Sequence, residues 1–176
     1  MPRIKEIDLK LASEEVKKAA AEHIAKGHRI TGEKRTLLHN VAAFKALEES
    51  SYNLDNELQR LIGKRAADFF EYAISVQNEC LVCTVYFSNL LKQNGIDFNS
   101  FAFTEQEQLL IEYGQALAKD PKNVSDELFE RLQQKFTEEE IVVITTMGVL
   151  MIANNYFNDI LKVQPETLLD TEGDES

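Results

Sequence analysis

The amino-acid sequence predicts an all-α domain, and three observations lead there. Glycine and proline are scarce, 7 and 3 among 176 residues, and the long intervals between them repeat apolar side chains every three or four positions. No stretch alternates apolar and polar residues as a half-buried strand would. Thr104 with Glu107 and Thr137 with Glu140 each match a capping box, in which the hydroxyl accepts from the amide three residues on and the carboxylate reaches back to the cap's own amide.

Ser13 is placed to cap the first helix, with Glu14 and Glu15 in its positive first turn. Val16, Ala19, Ala20 and Ile24 then form a thin stripe before Gly27 stops it. A second helix is expected from about Gly32 to Glu49, with Leu37, Leu38, Val41, Phe44, Ala46 and Leu47 on a wide apolar face, ended by the polar run 48–53. Leu54 to Ile62 adds a short helical turn or two. Lys64 to Gln77 carries Ala66, Ala67, Phe69, Phe70, Ala73, Ile74 and Val76 and is apolar nearly all round. Asn78 and Glu79 interrupt the pattern, so one helix ends there and another begins at Cys80, running to Asn94 before Gly95 supplies a left-handed stop. Thr104 opens a helix that Asp120 and Pro121 end, Ser125 caps a short one through Gln134, and Glu138 to Leu161 is the longest and most apolar.

Hydrophobic residues make up 44% and charged residues 28% of the chain, as in globular proteins, so a disordered or collagenous chain is excluded. Residues 1–163 are read as a single helical domain, 1–30 as its N-terminal helical extension and 164–176 as an acidic flexible tail. The helices at 64–77 and 138–161 are apolar on more than one face, which predicts an interface between copies of the chain. With 19 Lys and Arg against 30 Asp and Glu, the formal charge is −11, so phosphate backbones and anionic lipid surfaces are poor partners. No apolar run reaches the ~18 residues of a membrane span, and the N-terminus has no secretory pattern. A cytoplasmic protein is expected.

The chain's entire thiol content is one Cys-x-x-Cys, Cys80 and Cys83, at a helix start. Amides of a first helical turn carry partial positive charge and favour a thiolate, and residues three apart share a face, so the pair can close a local disulfide. The alternative is that both fill space as small hydrophobes. Zinc would need two further ligands, and His23, His28 and His39 offer no paired spacing. With no phosphate loop or nucleophile elbow, neither a metal nor a nucleotide cofactor is expected. Asp68, Glu71, Tyr72 and Ser75 recur at i, i+3, i+4 and i+7, forming either a solvated face or a polar pocket beside the cysteines. Tyr86 is read as a core aromatic with a possible hydroxyl near the thiols, His39 as the histidine nearest the core, and His23 and His28 as surface residues.

The chain resembles the carboxymuconolactone decarboxylase family, in its AhpD-like alkylhydroperoxidase branch. The resemblance rests on Leu37-Leu38-His39, Lys64-Arg65-Ala66-Ala67-Asp68, the Cys80/Cys83 pair and Phe103-Thr104-Glu105-Gln106-Glu107-Gln108. It continues through Ala116-Leu117-Ala118-Lys119-Asp120-Pro121 and Phe136-Thr137-Glu138-Glu139-Glu140-Ile141 to Asn155-Tyr156-Phe157-Asn158-Asp159. It implies an all-α fold assembled as trimers or hexamers. It further implies a hydroperoxide substrate, a dithiol or protein reductant, Cys83 as the sulfur that attacks peroxide and Cys80 as its resolving partner. Asp68 stands where redox members have a proton-handling glutamate, and Phe87 where they have a histidine. Loss of that histidine leaves a rival reading, an inactive helical scaffold or small-ligand binder. The decarboxylase branch takes an anionic lactone, which an acidic chain without an Arg or His cluster suits poorly.

Overall fold

The computed structural model describes residues 1–166, and among them every regular element is helical. The helix starts follow the caps in the sequence. Helix α1 (Glu14–Ala25) opens on Ser13, whose hydroxyl accepts from the Val16 amide. After α2 (Gly32–Leu37), α3 (Val41–Phe44), α4 (Ser50–Ile62), α5 (Lys64–Gln77) and α6 (Leu81–Gln93), both capping boxes form reciprocally at α7 (Glu105–Lys119) and α9 (Glu138–Leu161). Ser125 caps α8 (Asp126–Lys135).

The continuous helix expected over Gly32 to Glu49 is broken. Asn40, in extended conformation, turns its side chain onto the Ala43 amide at 2.9 Å and starts α3 afresh. The polar run after it does not end the helix either. Residues Lys45–Glu49 form a π-helical turn that carries the chain from α3 into α4, and Ser51 Oγ donates to the Leu47 carbonyl at 2.7 Å. The wider turn leaves Glu48 buried instead of solvated.

Helix α5 is central, packed on α4, α6, α7 and α9, with Phe70 and Ile74 fully enclosed. Gly114 and Gly148 allow α7 and α9 to approach it. A methyl group on Gly114 would lie 3.1 Å from the Phe70 carbonyl oxygen, and one on Gly148 would lie 2.7 Å from Leu117 Cδ1 and 3.0 Å from Phe70 Cζ. Phe69, Phe98, Phe101 and Phe103 form an aromatic cluster on another side of α5. The N-terminal helices build a separate core from Val16, Ala19, Ala20, Ile30, Leu37, Leu38 and Phe44. The segment before them is tied to the far end of the chain by the Arg3 amide on the Leu161 carbonyl, 2.9 Å.

Among the described residues, α9 is the one helix long and apolar enough to cross a membrane, yet it packs against α4, α5, α6 and α7 and buries Asn155 and Asn158 on its inner face. Of the expected acidic tail, residues 167–176 lie outside the described residues, and 164–166 have no regular structure.

Candidate functional site

Helix α5 ends in a motif that aims the next residue. Asn78 closes it, Glu79 takes a left-handed conformation (φ 57°), and the Cys80 amide returns to the Ser75 carbonyl at 3.1 Å. Glycine usually occupies such a position, because a Cβ there costs roughly 1–2 kcal/mol. The turn leaves Cys80 extended as the N-cap of α6, its Sγ accepting from the Cys83 amide at 3.5 Å. The two sulfurs stand 3.0 Å apart as free thiols, Cys80 fully enclosed and Cys83 6% exposed.

The contact between the sulfurs shifts the two thiols in opposite directions. Cys80 is lowered by its hydrogen bond with Cys83, helped by the Cys83 amide, in spite of burial and the nearby Asp159 and Glu33 carboxyls. Cys83 is raised by the same contact, with burial and Glu33 adding to the effect.

Behind the sulfurs α9 supplies amides. Asn158 Nδ2 donates to Cys83 Sγ at 3.4 Å, and Asn155 bridges Asn78 (2.9 Å) and Ser75 (3.5 Å). Oε1 of Glu33, a first-turn residue of α2, is enclosed without a hydrogen-bond partner among the described residues, and so is Oδ1 of Asn158. Burial pushes Glu33 up to about 7, Glu48 pushes the same way, and Lys34 and Asn158 oppose them. Lys34 pairs with Glu48 at 3.4 Å, both side chains nearly sealed, and its ammonium lies 5.6 Å from the Tyr52 ring centroid.

The residues singled out in the sequence separate into two groups. Asp68 is buried, with both oxygens 3.0 Å from Lys64 Nζ; burial raises its pKa and Lys64 opposes. Glu71 is buried as well and pushed well above the usual carboxylate range by burial, then by Asp55 and Asp68. The stripe Asp68, Glu71, Ser75 is therefore a buried polar seam of α5, and Tyr72 packs edge-on to Phe98. Ser75 links this seam to the amides behind the sulfurs, but Asp68 spends its oxygens on Lys64.

Three expectations change. Tyr86 is 58% exposed and is no core aromatic. His39 is exposed, with Nε2 2.7 Å from the Lys5 carbonyl oxygen. His23 is the buried histidine, its ring packed on Phe44 and Tyr52 and its pKa lowered to about 4, first by burial and then by Lys34. It faces inward because the N-terminal helices close over their own core. His28 stacks on Tyr52 with centroids 3.6 Å apart.

No family model and no curated protein matches the chain. Solved structures do. An uncharacterized peroxidase-related protein from Silicibacter sp. TM1040 superposes with a TM-score of 0.71 at 14% identity, covering 93% of this chain and 92% of that one. An alkylhydroperoxidase AhpD core from Ralstonia eutropha JMP134, also an uncharacterized peroxidase-related protein, gives 0.72 at 18% identity over 94% and 92%. The chain has the AhpD-like fold. A protein of unknown function from Agrobacterium tumefaciens, proposed as an antioxidant defence protein AhpD, shares this AhpD-like core over 68% of this chain and 90% of its own, with a TM-score of 0.59 at 23% identity.

Phe87 is buried as part of the main hydrophobic core. Sequence reasoning missed Glu33, Lys34 and Glu48. Glu33 and Lys34 read as ordinary first-turn charges, and no local signal shows that Glu33 Oε1 and the Lys34 side chain are enclosed. Sequence reasoning also missed the roles of Asn155 and Asn158; the signal for them is a run of amides, Asn154, Asn155 and Asn158, on the most apolar helix.

Proposed function

We propose that the protein is a thiol-dependent antioxidant that reduces hydroperoxides, or a partner's disulfide, by cycling Cys80 and Cys83 between dithiol and disulfide. The observation that carries this reading is the 3.0 Å contact between two free sulfurs, one of them the cap of a helix. A disulfide closes at ~2.05 Å, so about 1 Å of sulfur movement suffices. Two cysteines that merely fill space need no amide aimed at either sulfur, and here Cys80 receives one from Cys83 and Cys83 receives another from Asn158.

Cys83 is the less enclosed sulfur and meets the peroxide, its proton passing along the S–H···S contact to Cys80 as it attacks. The peroxide O–O bond breaks, Cys83 becomes a sulfenic acid and an alkoxide leaves. Cys80 then attacks the Cys83 sulfur, the disulfide forms, and the displaced hydroxide takes the Cys80 proton as water. An external dithiol or protein thiol restores the pair. A reducing compartment such as the cytoplasm suits this cycle.

Counting free thiols before and after hydrogen peroxide tests it. The expected result is loss of two thiols per chain, restored by dithiothreitol, with a disulfide within the peptide spanning Cys80 and Cys83. Unchanged thiols in the folded protein would favour the inactive-scaffold reading.

A further inference from the structure

Two asparagines on the inner face of α9 stand one turn apart, and they are satisfied differently. Asn155 uses both ends of its amide, Oδ1 accepting from Asn78 at 2.9 Å and Nδ2 donating to Ser75 at 3.5 Å, so its burial is accounted for by the links it makes to the end of α5. Asn158 is just as buried, 1% exposed, but only its donor is engaged, Nδ2 lying 3.4 Å from Cys83 Sγ. Its Oδ1 is enclosed with no hydrogen-bond partner among the described residues. Few buried acceptors stay unpaired in a native fold, and this one belongs to the amide that touches a reactive sulfur.

The backbone fixes that amide from both sides. Asn158 lies in the last turn of α9, where Lys162 takes a left-handed conformation (φ 53°) and the Val163 amide returns to the Asn158 carbonyl at 2.9 Å. One turn earlier, Asn155 ties α9 to Asn78, in the turn that presents Cys80.

We propose that Asn158 is a catalytic residue that selects hydroperoxides, its Nδ2 steadying the Cys83 sulfur while its Oδ1 accepts the O–H of the oxygen under attack, an inference that rests on the dithiol–disulfide reading above. One planar amide presents a donor and an acceptor side by side. A hydroperoxide brings the O–H that Oδ1 lacks, and a disulfide brings none.

The chemistry keeps that hydrogen bond throughout. The Cys83 sulfur forms a bond to the hydroxyl oxygen of the hydroperoxide and the O–O bond breaks. Its electron pair leaves on the alkoxide, which takes a proton from solvent. The transferred oxygen retains its hydrogen, so the sulfenic acid on Cys83 still donates to Oδ1. Cys80 then bonds to the Cys83 sulfur, the S–O bond breaks, and hydroxide leaves as water with the proton of the thiol pair. Two electrons pass from the sulfurs to the peroxide.

The test compares two reagents of similar size on the reduced full-length protein. One is tert-butyl hydroperoxide. The other is methyl methanethiosulfonate, which attacks thiolates and has no O–H. Modification of Cys83 is followed by rapid quench and peptide mass, and each rate is divided by the thiolate fraction read from ultraviolet absorbance. Asn158→Ala should react with the hydroperoxide about 10–100-fold more slowly than wild type, and its rate with the thiosulfonate should change by less than about threefold. Both rates slowed alike, or a hydroperoxide rate left unchanged, overturns the role of Asn158 and leaves the dithiol reading standing. A wild type that loses no thiols to peroxide while the thiosulfonate modifies Cys83 overturns the dithiol reading, and the role of Asn158 with it. Should Asn158→Ala fail to fold, the wild type decides: its ratio of hydroperoxide to thiosulfonate rate should exceed that of free dithiothreitol by about tenfold or more, and an equal ratio overturns the proposal.

Discussion

Replacing Glu33 by Gln should stabilise the reduced protein above pH 7 and leave it nearly unchanged at pH 4.5. The folded-state pKa of Glu33 is raised from 4.5 to about 7, chiefly by burial. The folded state therefore holds its proton more tightly than the unfolded chain, and stability falls as pH rises between those two values. At 1.36 kcal/mol per unit, that interval is worth roughly 3 kcal/mol of lost stability once Glu33 is ionised. Gln keeps the shape of the neutral acid and cannot ionise, so it escapes the loss. For a chain of this size the gain corresponds to roughly 6–12 °C in melting temperature. Glu48, Glu71 and Asp68 are raised too and tilt the wild-type curve the same way, so the difference between variant and wild type isolates Glu33. Urea denaturation under dithiothreitol at both pH values measures it. An equal difference at the two pH values, or a destabilised variant above pH 7, would refute the enclosure of the Glu33 carboxyl.

Cys83→Ser should abolish peroxide consumption, whereas Cys80→Ser should permit one oxidation and label strongly with a dimedone-type probe, the wild type labelling weakly; reversed labelling would make Cys80 the attacking sulfur. Gly148→Ala should destabilise by about 1–3 kcal/mol, because the added methyl meets Leu117 and Phe70 inside the close contact of α5, α7 and α9, and a loss under 0.5 kcal/mol in urea denaturation would contradict that packing. The exposed stripe Val142, Val149, Tyr156 and Ile160 along α9, beside a groove lined by Leu54, Leu150 and Ala153, should be covered by further copies of the chain. Sedimentation should then show a trimer or a multiple of it, reduced to the 20.1 kDa monomer by Val149→Glu; a wild-type monomer at micromolar concentration would refute the interface.

What was legible in the sequence follows the range of the forces involved. Helix starts fixed by a side chain three residues from its partner, as at Ser13, Thr104, Ser125 and Thr137, form where the sequence places them. The break at Asn40 and the π-helical turn after Phe44 were not legible. Asn40 has to be recognised as a cap inside an apolar run, and the wide turn depends on Glu48 meeting Lys34 fourteen residues earlier. The cysteine pair was found because its chemistry is local to four residues. The polar face of α5 was found as a pattern, but whether water or protein covers it is a tertiary fact, and Glu71 and Ser75 turn out to be enclosed.

The same distinction explains where the carboxyl of the site lies. Counting along the chain from Cys80 leads to Asp68, on the helix that precedes the pair, and Asp68 spends both oxygens on Lys64. The enclosed carboxyl of Glu33 comes from the opposite direction, on a helix whose Gly32 packs against Glu6 and whose Arg35 carbonyl receives the Ile7 amide. The first residues of the chain are thus part of what holds Glu33 in place. Aromatic contacts of His23 and His28 with Tyr52 continue that support from α1 to α4. An acidic chain can enclose carboxylates only where they are paired or neutral. Lys34 on Glu48 and Lys64 on Asp68 are two local solutions to that one electrostatic demand, each setting a lysine against a buried acid.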